Sequence, residues 1–125
     1  MQTSSRPVFL NLLQIRLPVA AVMSIAHRAA GVLLFLAIPL LIGLVSLALS
    51  GAEGFARAVS LLHSLPGRLL LFLLLWALAH HFLAGIRYLL LDVHLGVRAP
   101  HFRRSAWAVL GVAPLLALGL LRGLT

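Results

Sequence analysis

Three long runs of apolar residues dominate the chain, and polar residues collect at their ends. Residues 29–49 are 21 positions without a charge, residues 69–86 are 18 positions that contain two histidines as their only ionisable groups, and residues 105–121 are 17 apolar-rich positions. A helix rises 1.5 Å per residue, so about 20 residues cross the roughly 30 Å hydrocarbon core of a bilayer. The pattern predicts three membrane-spanning helices, roughly over 22–49, 67–93 and 104–123.

The segments between these runs complete a single transmembrane domain over 1–125. Residues 1–19 are punctuated by Arg-Pro and are expected to lie at the membrane surface, whereas 50–67, rich in Gly and Ser, and 93–104 are expected to be loops. Hydrophobic residues make up 62% of the chain and charged residues only 10%, far outside the range of soluble domains. The fold class is therefore all-α and integral membrane.

The charge distribution predicts the orientation of the helices. The chain has ten arginines and two acidic residues, and its net charge is +8. The arginines lie at the ends of the apolar runs, where they reach lipid head groups, so the charge does not indicate nucleic-acid binding. Three arginines precede the first run and three lie in the second loop, against two, Arg57 and Arg68, in or directly after the first loop. The positive-inside rule thus predicts a cytoplasmic N-terminus and a periplasmic C-terminus.

One polar cluster lies at the end of the second run. Ionisable groups at membrane depth usually face a bundle interior and serve a function. Residues three or four positions apart share a face of a helix, so the residues of this segment are predicted to form two adjacent stripes along the helix surface. A glycine on the first stripe predicts a notch through which a flat ligand could approach the backbone. The first stripe is His81, Gly85, Tyr88 and Asp92, and the second is His80, Ala84, Arg87 and Leu91.

A second polar cluster opens the first helix, with Ser24, His27, Arg28 and Gly31 on one face. The predicted topology puts both clusters toward the same side of the membrane. Because each cluster contains histidine and arginine, their convergence predicts a site for a polar or anionic group at that depth.

Several functions fit His81 on spacing alone. It lies six residues before Arg87, hence about 9 Å deeper in the bilayer. It could ligate haem iron while His27 and Arg28 pair with the propionates; because the chain has no cysteine, such a haem is held noncovalently. It could equally be a bundle histidine bonded to a carbonyl or serine of another helix, or take part in proton transfer. His80 is expected to be a packing residue.

The arginines and the aspartate leave similar alternatives. Arg28 and Arg87 either extend to lipid head groups, as arginines at helix ends usually do, or donate hydrogen bonds to the head group of a quinone at the membrane interface. Asp92 either relays protons or forms an ion pair with Arg87 or Arg98.

Two motifs bring a family resemblance. Ser24-Ile25-x-His27-Arg28-x-x-Gly31 and His81-x-x-x-Gly85-Ile86-Arg87-x-x-x-x-Asp92, preceded by Arg6-Pro7-Val8 and Gln14-Ile15-Arg16, closely resemble the cytochrome b membrane anchor of bacterial succinate dehydrogenase, respiratory complex II of the tricarboxylic acid cycle. The resemblance covers almost the whole chain. It implies three transmembrane helices within a heteromeric helix bundle.

The resemblance also implies the cofactors and their residues. His81 matches the axial ligand of a haem b iron, whose second axial histidine comes from the sister anchor subunit. His27 and Arg28 match the propionate partners, and Ser24 with Arg28 matches the ubiquinone site. Asp92, Arg87 and Tyr88 are expected to support these groups. Tyr88 departs from the family, since close relatives often carry histidine there, although a phenol can still donate a hydrogen bond.

The implied function is electron transport as a non-catalytic anchor in the bacterial inner membrane. Flavin and dicarboxylate motifs are absent from the chain, so succinate oxidation is expected to belong to partners: a flavoprotein subunit, an iron–sulfur subunit and a second membrane-anchor subunit. The alternatives are a fumarate reductase anchor that uses menaquinone, and a haem-free proton-conducting or scaffolding membrane protein.

Overall fold

A computed structural model describes residues 16–124 and contains four helices in that range. They are α1 (Val19–Leu49), α2 (Ala52–His63), α3 (Leu65–Asp92) and α4 (His101–Leu124). Helices α1, α3 and α4 are long and apolar enough to cross a membrane, which confirms the prediction of three spans. Most of the predicted surface segment 1–19, including Arg6, lies outside the described residues.

Small residues form the contacts between the three spans. The fully or nearly fully buried apolar side chains are mostly alanines of α1, α3 and α4, with Met23 as the largest. Large apolar side chains such as Phe35 and Leu115 point outward and are 70% and 68% exposed. This is the arrangement expected in lipid. Moving a leucine side chain from lipid into the protein interior gains little free energy, whereas alanine allows the backbones of neighbouring helices to approach closely. The buried alanines of the three spans are Ala30, Ala37, Ala77, Ala84, Ala106, Ala113 and Ala117.

Helix α3 lies between the other two spans and contacts both. Its buried residues are Ala77, His80, Ala84 and Arg87, three or four positions apart. The stripe of His80 and Arg87 therefore faces the centre of this three-helix arrangement. The neighbouring stripe, which contains His81 and Tyr88, is only partly buried.

The segment expected to be a loop between the first two spans instead contains a helix, so that expectation is wrong. Helix α2 occupies residues 52–63 and contacts both α1 and α3. Ser64 ends α2 and caps α3, because its Oγ accepts a hydrogen bond from the Gly67 amide at 3.1 Å. The second predicted loop is also shorter than expected, since α4 already begins at His101.

Candidate functional site

The two histidines of α3 have different surroundings. His81 is partly buried, and its Nδ1 lies 3.2 Å from the backbone carbonyl oxygen of His27 on α1. A carbonyl oxygen can only accept a hydrogen bond, so Nδ1 carries the proton and donates it. In the neutral form of the ring, a proton on Nδ1 leaves the lone pair on Nε2. The contact with the His27 carbonyl therefore favours the tautomer that can bind a metal through Nε2.

A glycine on α1 allows this close approach. A Cβ at Gly31 would lie 3.0 Å from His81 Cε1 and 3.3 Å from His81 Nδ1, tighter than ordinary van der Waals contact. A Cβ at Gly85, where the sequence predicts a notch, would meet no atom within 4 Å in the described part of the chain. Gly31 is thus the glycine that contacts His81. The sequence places it on the correct face of α1 but cannot show which residue of α3 it faces.

His27 lies against His81 and Tyr88. The His27 and His81 rings stack with centroids 4.2 Å apart and planes 14° from parallel, and the Tyr88 ring centroid is 5.3 Å from that of His27. The His27 Nε2 and the Tyr88 hydroxyl are buried and have no hydrogen-bond partner within residues 16–124. Buried polar atoms normally have a partner, so these two are candidates for a hydrogen bond to a group that the described chain does not supply.

Ser24 lies one turn before His27 on α1, and Arg28 directly follows His27. Ser24 is partly buried and Arg28 is exposed. Arg28 and Asp92 form no ion pair in the structure, since the ion pair found among the described residues joins Arg57 to Glu53. Asp92 is exposed at the last position of α3. Among the described residues Asp92 also forms no ion pair with Arg87 or Arg98, the partners considered from the sequence, and its supporting role stays a prediction.

Arg87 faces α4 rather than the cluster on α1. Its Nε donates to the Ser105 hydroxyl at 2.9 Å, and its Nη2 donates to the Phe102 carbonyl oxygen at 3.0 Å. The guanidinium carbon also lies 4.7 Å from the centroid of the Phe102 ring, within the range of a cation–π interaction. Ser105 and Phe102 are therefore structural partners that sequence reasoning missed. Their only sequence signal is their position at the start of the third span.

His80 is the most buried polar side chain of α3. It is fully buried, its ring lies 5.5 Å from the Trp76 ring, and neither ring nitrogen has a hydrogen-bond partner within the described range. The sequence predicts a packing residue at this position, and the burial agrees with that prediction.

The described residues contain no group of three His, Cys, Asp or Glu side chains that could hold a metal ion unaided. The three apolar helices make the chain a multi-pass membrane protein. Within the described residues, its site consists of the His81 imidazole, oriented by the His27 carbonyl, and the buried His27 Nε2 and Tyr88 hydroxyl beside it. A family model described as "Succinate dehydrogenase/Fumarate reductase transmembrane subunit" matches residues 2–120. The chain belongs to this family, which confirms the resemblance inferred from its motifs.

Two curated relatives agree with this assignment. The succinate dehydrogenase cytochrome b556 subunit of Coxiella burnetii is 37% identical over 111 residues, which are 88% of this chain and 89% of that protein. The succinate dehydrogenase cytochrome b556 subunit of Paracoccus denitrificans is 32% identical over 114 residues, which are 91% of this chain and 88% of that protein. The likeness therefore extends over nearly the full length of both relatives.

Proposed function

We propose that this chain is the membrane-anchoring haem b subunit of a succinate–ubiquinone oxidoreductase. In this role it anchors the flavoprotein and iron–sulfur subunits together with a second membrane-anchor subunit, and it helps to form the site where the iron–sulfur subunit reduces quinone. The chain itself does not oxidise succinate. The observation that carries the proposal is the hydrogen bond between His81 Nδ1 and the His27 carbonyl, in a chain whose curated relatives are named cytochrome b556 subunits.

The residues around His81 fit a haem. Histidines that bind metal usually donate the other ring N–H to a carbonyl or carboxylate, which fixes the ring and raises its basicity. His81 has this arrangement, and it supplies one axial ligand; the sister subunit supplies the second. A haem bound here would act as a one-electron carrier. His27 Nε2 lacks a partner in the described chain and can donate to a propionate, and Arg28 adds a positive charge one residue away.

The carbonyl bond alone would also suit a purely structural histidine. Two further observations favour a ligand. Gly31 removes the side chain that would press on the His81 ring, and the His27 Nε2 and Tyr88 hydroxyl remain unpaired beside it. A structural histidine explains neither the unpaired nitrogen nor the unpaired hydroxyl.

Ser24 and Arg28 are the proposed contribution of this chain to the ubiquinone site. They lie one turn apart on one face of α1, so the hydroxyl and the guanidinium can both donate to a quinone head group between this helix and the neighbouring subunits. Arg28 is exposed in the single chain and is therefore available to such a ligand.

Replacement of His81 tests the haem assignment. We expect His81→Ala in the purified complex to remove or severely perturb the low-spin b-type spectrum, because one axial ligand is lost. His80→Leu is the matched control: it is the adjacent residue, and leucine fills a similar buried volume, so the spectrum should persist. Reduced-minus-oxidised absorption and the haem content per complex measure both effects. A normal bis-histidine spectrum in the His81 variant would overturn the assignment, and a wild-type complex without any b-type band would favour a haem-free anchor.

A further inference from the structure

A groove at the junction of α3 and α4 combines basic and apolar walls. Its volume is about 450 Å³, and it opens at the surface between the end of α3 and the first turns of α4. Its basic residues are Arg87, His101 and Arg104, and its apolar wall includes Leu90, Leu91 and Leu95. The groove lining does not include His27, His81 or Tyr88, although the Arg87 guanidinium carbon lies 5.8 Å from the centroid of the Tyr88 ring.

Arg87 is a nearly buried cation without a counter-ion in the described chain. It is 5% exposed, and its two hydrogen bonds go to neutral oxygens of Ser105 and Phe102. The whole chain has only two acidic residues: Glu53 pairs with Arg57, and Asp92 forms no ion pair among residues 16–124. A buried charge is costly unless an opposite charge compensates it. The guanidinium has five N–H donors, so donors remain for an anion.

The groove lies at the membrane surface, because it is formed where one membrane span ends and the next begins. Arg104 and His101 are exposed beside Arg87, so further positive charge reaches the opening. Leu90 and Leu95 are 46% and 59% exposed next to these charges. A free phosphate would use only the basic residues, whereas a phospholipid would also cover the leucines.

We infer that this groove binds an anionic phospholipid, with the head-group phosphate beside Arg87 and Arg104 and an acyl chain against Leu90, Leu91 and Leu95. Arginine pairs well with phosphate because its planar guanidinium offers parallel N–H donors. Basic pockets between transmembrane helices near the membrane surface are typical sites for such lipids. The lipid supplies the negative charge that the chain does not give to Arg87.

The test compares two adjacent arginines in the intact complex. Arg104 lines this groove, whereas Arg103 is equally exposed but lines a different surface depression with Pro18 and Phe102. The purified complex is stripped of lipid in detergent and titrated with phosphatidylglycerol or with phosphatidylcholine of the same acyl chains, and bound lipid is counted by native mass spectrometry. Size-exclusion chromatography confirms that each variant assembles.

We expect the wild-type complex to prefer phosphatidylglycerol. Arg104→Gln should weaken binding of phosphatidylglycerol about fivefold, the effect of one arginine at a membrane surface. Arg103→Gln should leave it within about twofold, and Arg104→Lys should retain most of the binding because the charge is kept. These results would distinguish charge at the groove from general surface charge.

Any of four results would overturn the inference. Equal loss in Arg103→Gln and Arg104→Gln would show a general electrostatic effect, and equal binding of phosphatidylcholine by the wild type would show that anionic charge is not recognised. Release of phosphatidylglycerol by millimolar inorganic phosphate would show an anion site that makes no use of the acyl chain. No lipid bound in the assembled wild type would show that the groove is closed by a neighbouring protein of the complex.

Discussion

The environment of His81 depends on two backbone features of α1. One is the His27 carbonyl, which accepts the bond from Nδ1, and the other is the missing side chain at Gly31. Both belong to a helix about 50 positions earlier in the sequence. The properties of His81 are therefore a matter of contacts between helices rather than of its own helix alone.

Adding a methyl group at Gly31 should disturb the His81 ring without removing it. In Gly31→Ala the new Cβ would lie 3.0 Å from His81 Cε1, so the imidazole must move by a few tenths of an ångström, about the amount that weakens its bond to His27. We expect the complex to keep its haem but to show shifted low-spin signals in electron paramagnetic resonance. Gly43→Ala on the same helix is the control, since its Cβ would meet no described atom within 4 Å. Identical signals in Gly31→Ala and the wild type would contradict the proposed contact.

Ser24 and Arg28 should contribute unequally to quinone reduction. A hydrogen bond from a neutral hydroxyl contributes about 1 kcal/mol and one from a charged donor about 1.5–3 kcal/mol, so Arg28→Leu should slow ubiquinone reduction more than Ser24→Ala. Succinate oxidation with an artificial acceptor upstream of the quinone should persist in both variants. If an assembled Arg28→Leu complex reduced ubiquinone at the wild-type rate, Arg28 would be a head-group anchor only.

At the scale of elements, α2 is the helix that the sequence pattern does not predict. Glycines and serines flank it and Gly54 lies inside it, all of which indicate a loop. In the structure Gly54 is buried where α2 crosses the end of α1, and a Cβ there would overlap the Leu47 carbonyl oxygen and the Ser50 hydroxyl. The glycine is thus needed for a close contact between helices and not for a flexible turn.

Gly54→Ala should therefore destabilise the corner between α1 and α2. The obstacle includes backbone, which cannot rotate away as a side chain can, so we expect a loss of about 1–3 kcal/mol, the usual cost of overpacking. Thermal unfolding of the purified complex, followed by helical circular dichroism, measures the change. Gly119→Ala on α4 is the control, because its Cβ would meet no described atom within 4 Å. Equal melting temperatures for the two variants would show that the corner can rearrange.

At the scale of the whole molecule, several buried or partly buried polar groups lie toward one end of an otherwise apolar arrangement, whereas His80 is buried near the middle of α3. The first turns of α1, the last turns of α3 and the first turns of α4 carry His27, Arg87 and Ser105, whereas the opposite ends of α1 and α3 are joined through α2. This end of the arrangement is therefore where we expect the partners of the proposed function to contact the chain.

The arginine distribution predicts that this surface is cytoplasmic. Reporters that are active only in the cytoplasm or only in the periplasm, fused within residues 93–100 and after Thr125, test the topology. We expect the loop fusion to be active with the cytoplasmic reporter and the C-terminal fusion with the periplasmic one, because positive residues near membrane spans stay inside. A periplasmic signal from the loop fusion would reverse the proposed orientation of the site.

The sequence by itself determines the membrane spans and the family. Runs of 17 to 21 apolar residues permit little other than membrane helices, and the spacing of His81, Gly85 and Arg87 is a local pattern that can be read without coordinates. Local periodicity also groups residues into stripes. It correctly separates the buried His80 from the partly buried His81, and it predicts that Ser24, His27 and Arg28 share one face.

Only the tertiary structure decides which stripe faces which helix. The spacing of residues along α3 does not change when the helix rotates about its own axis. Spacing therefore cannot show that Arg87 forms a hydrogen bond with Ser105 on α4 while His81 contacts the carbonyl of His27 on α1. In lipid these choices depend on close contacts between small residues such as Ala30, Ala84 and Gly31, and such contacts form between segments far apart in the chain. For the same reason the notch at Gly85 stays a prediction, with open space beside it in the described chain, whereas the contact between Gly31 and the His81 ring appears only in the packing of α1 against α3.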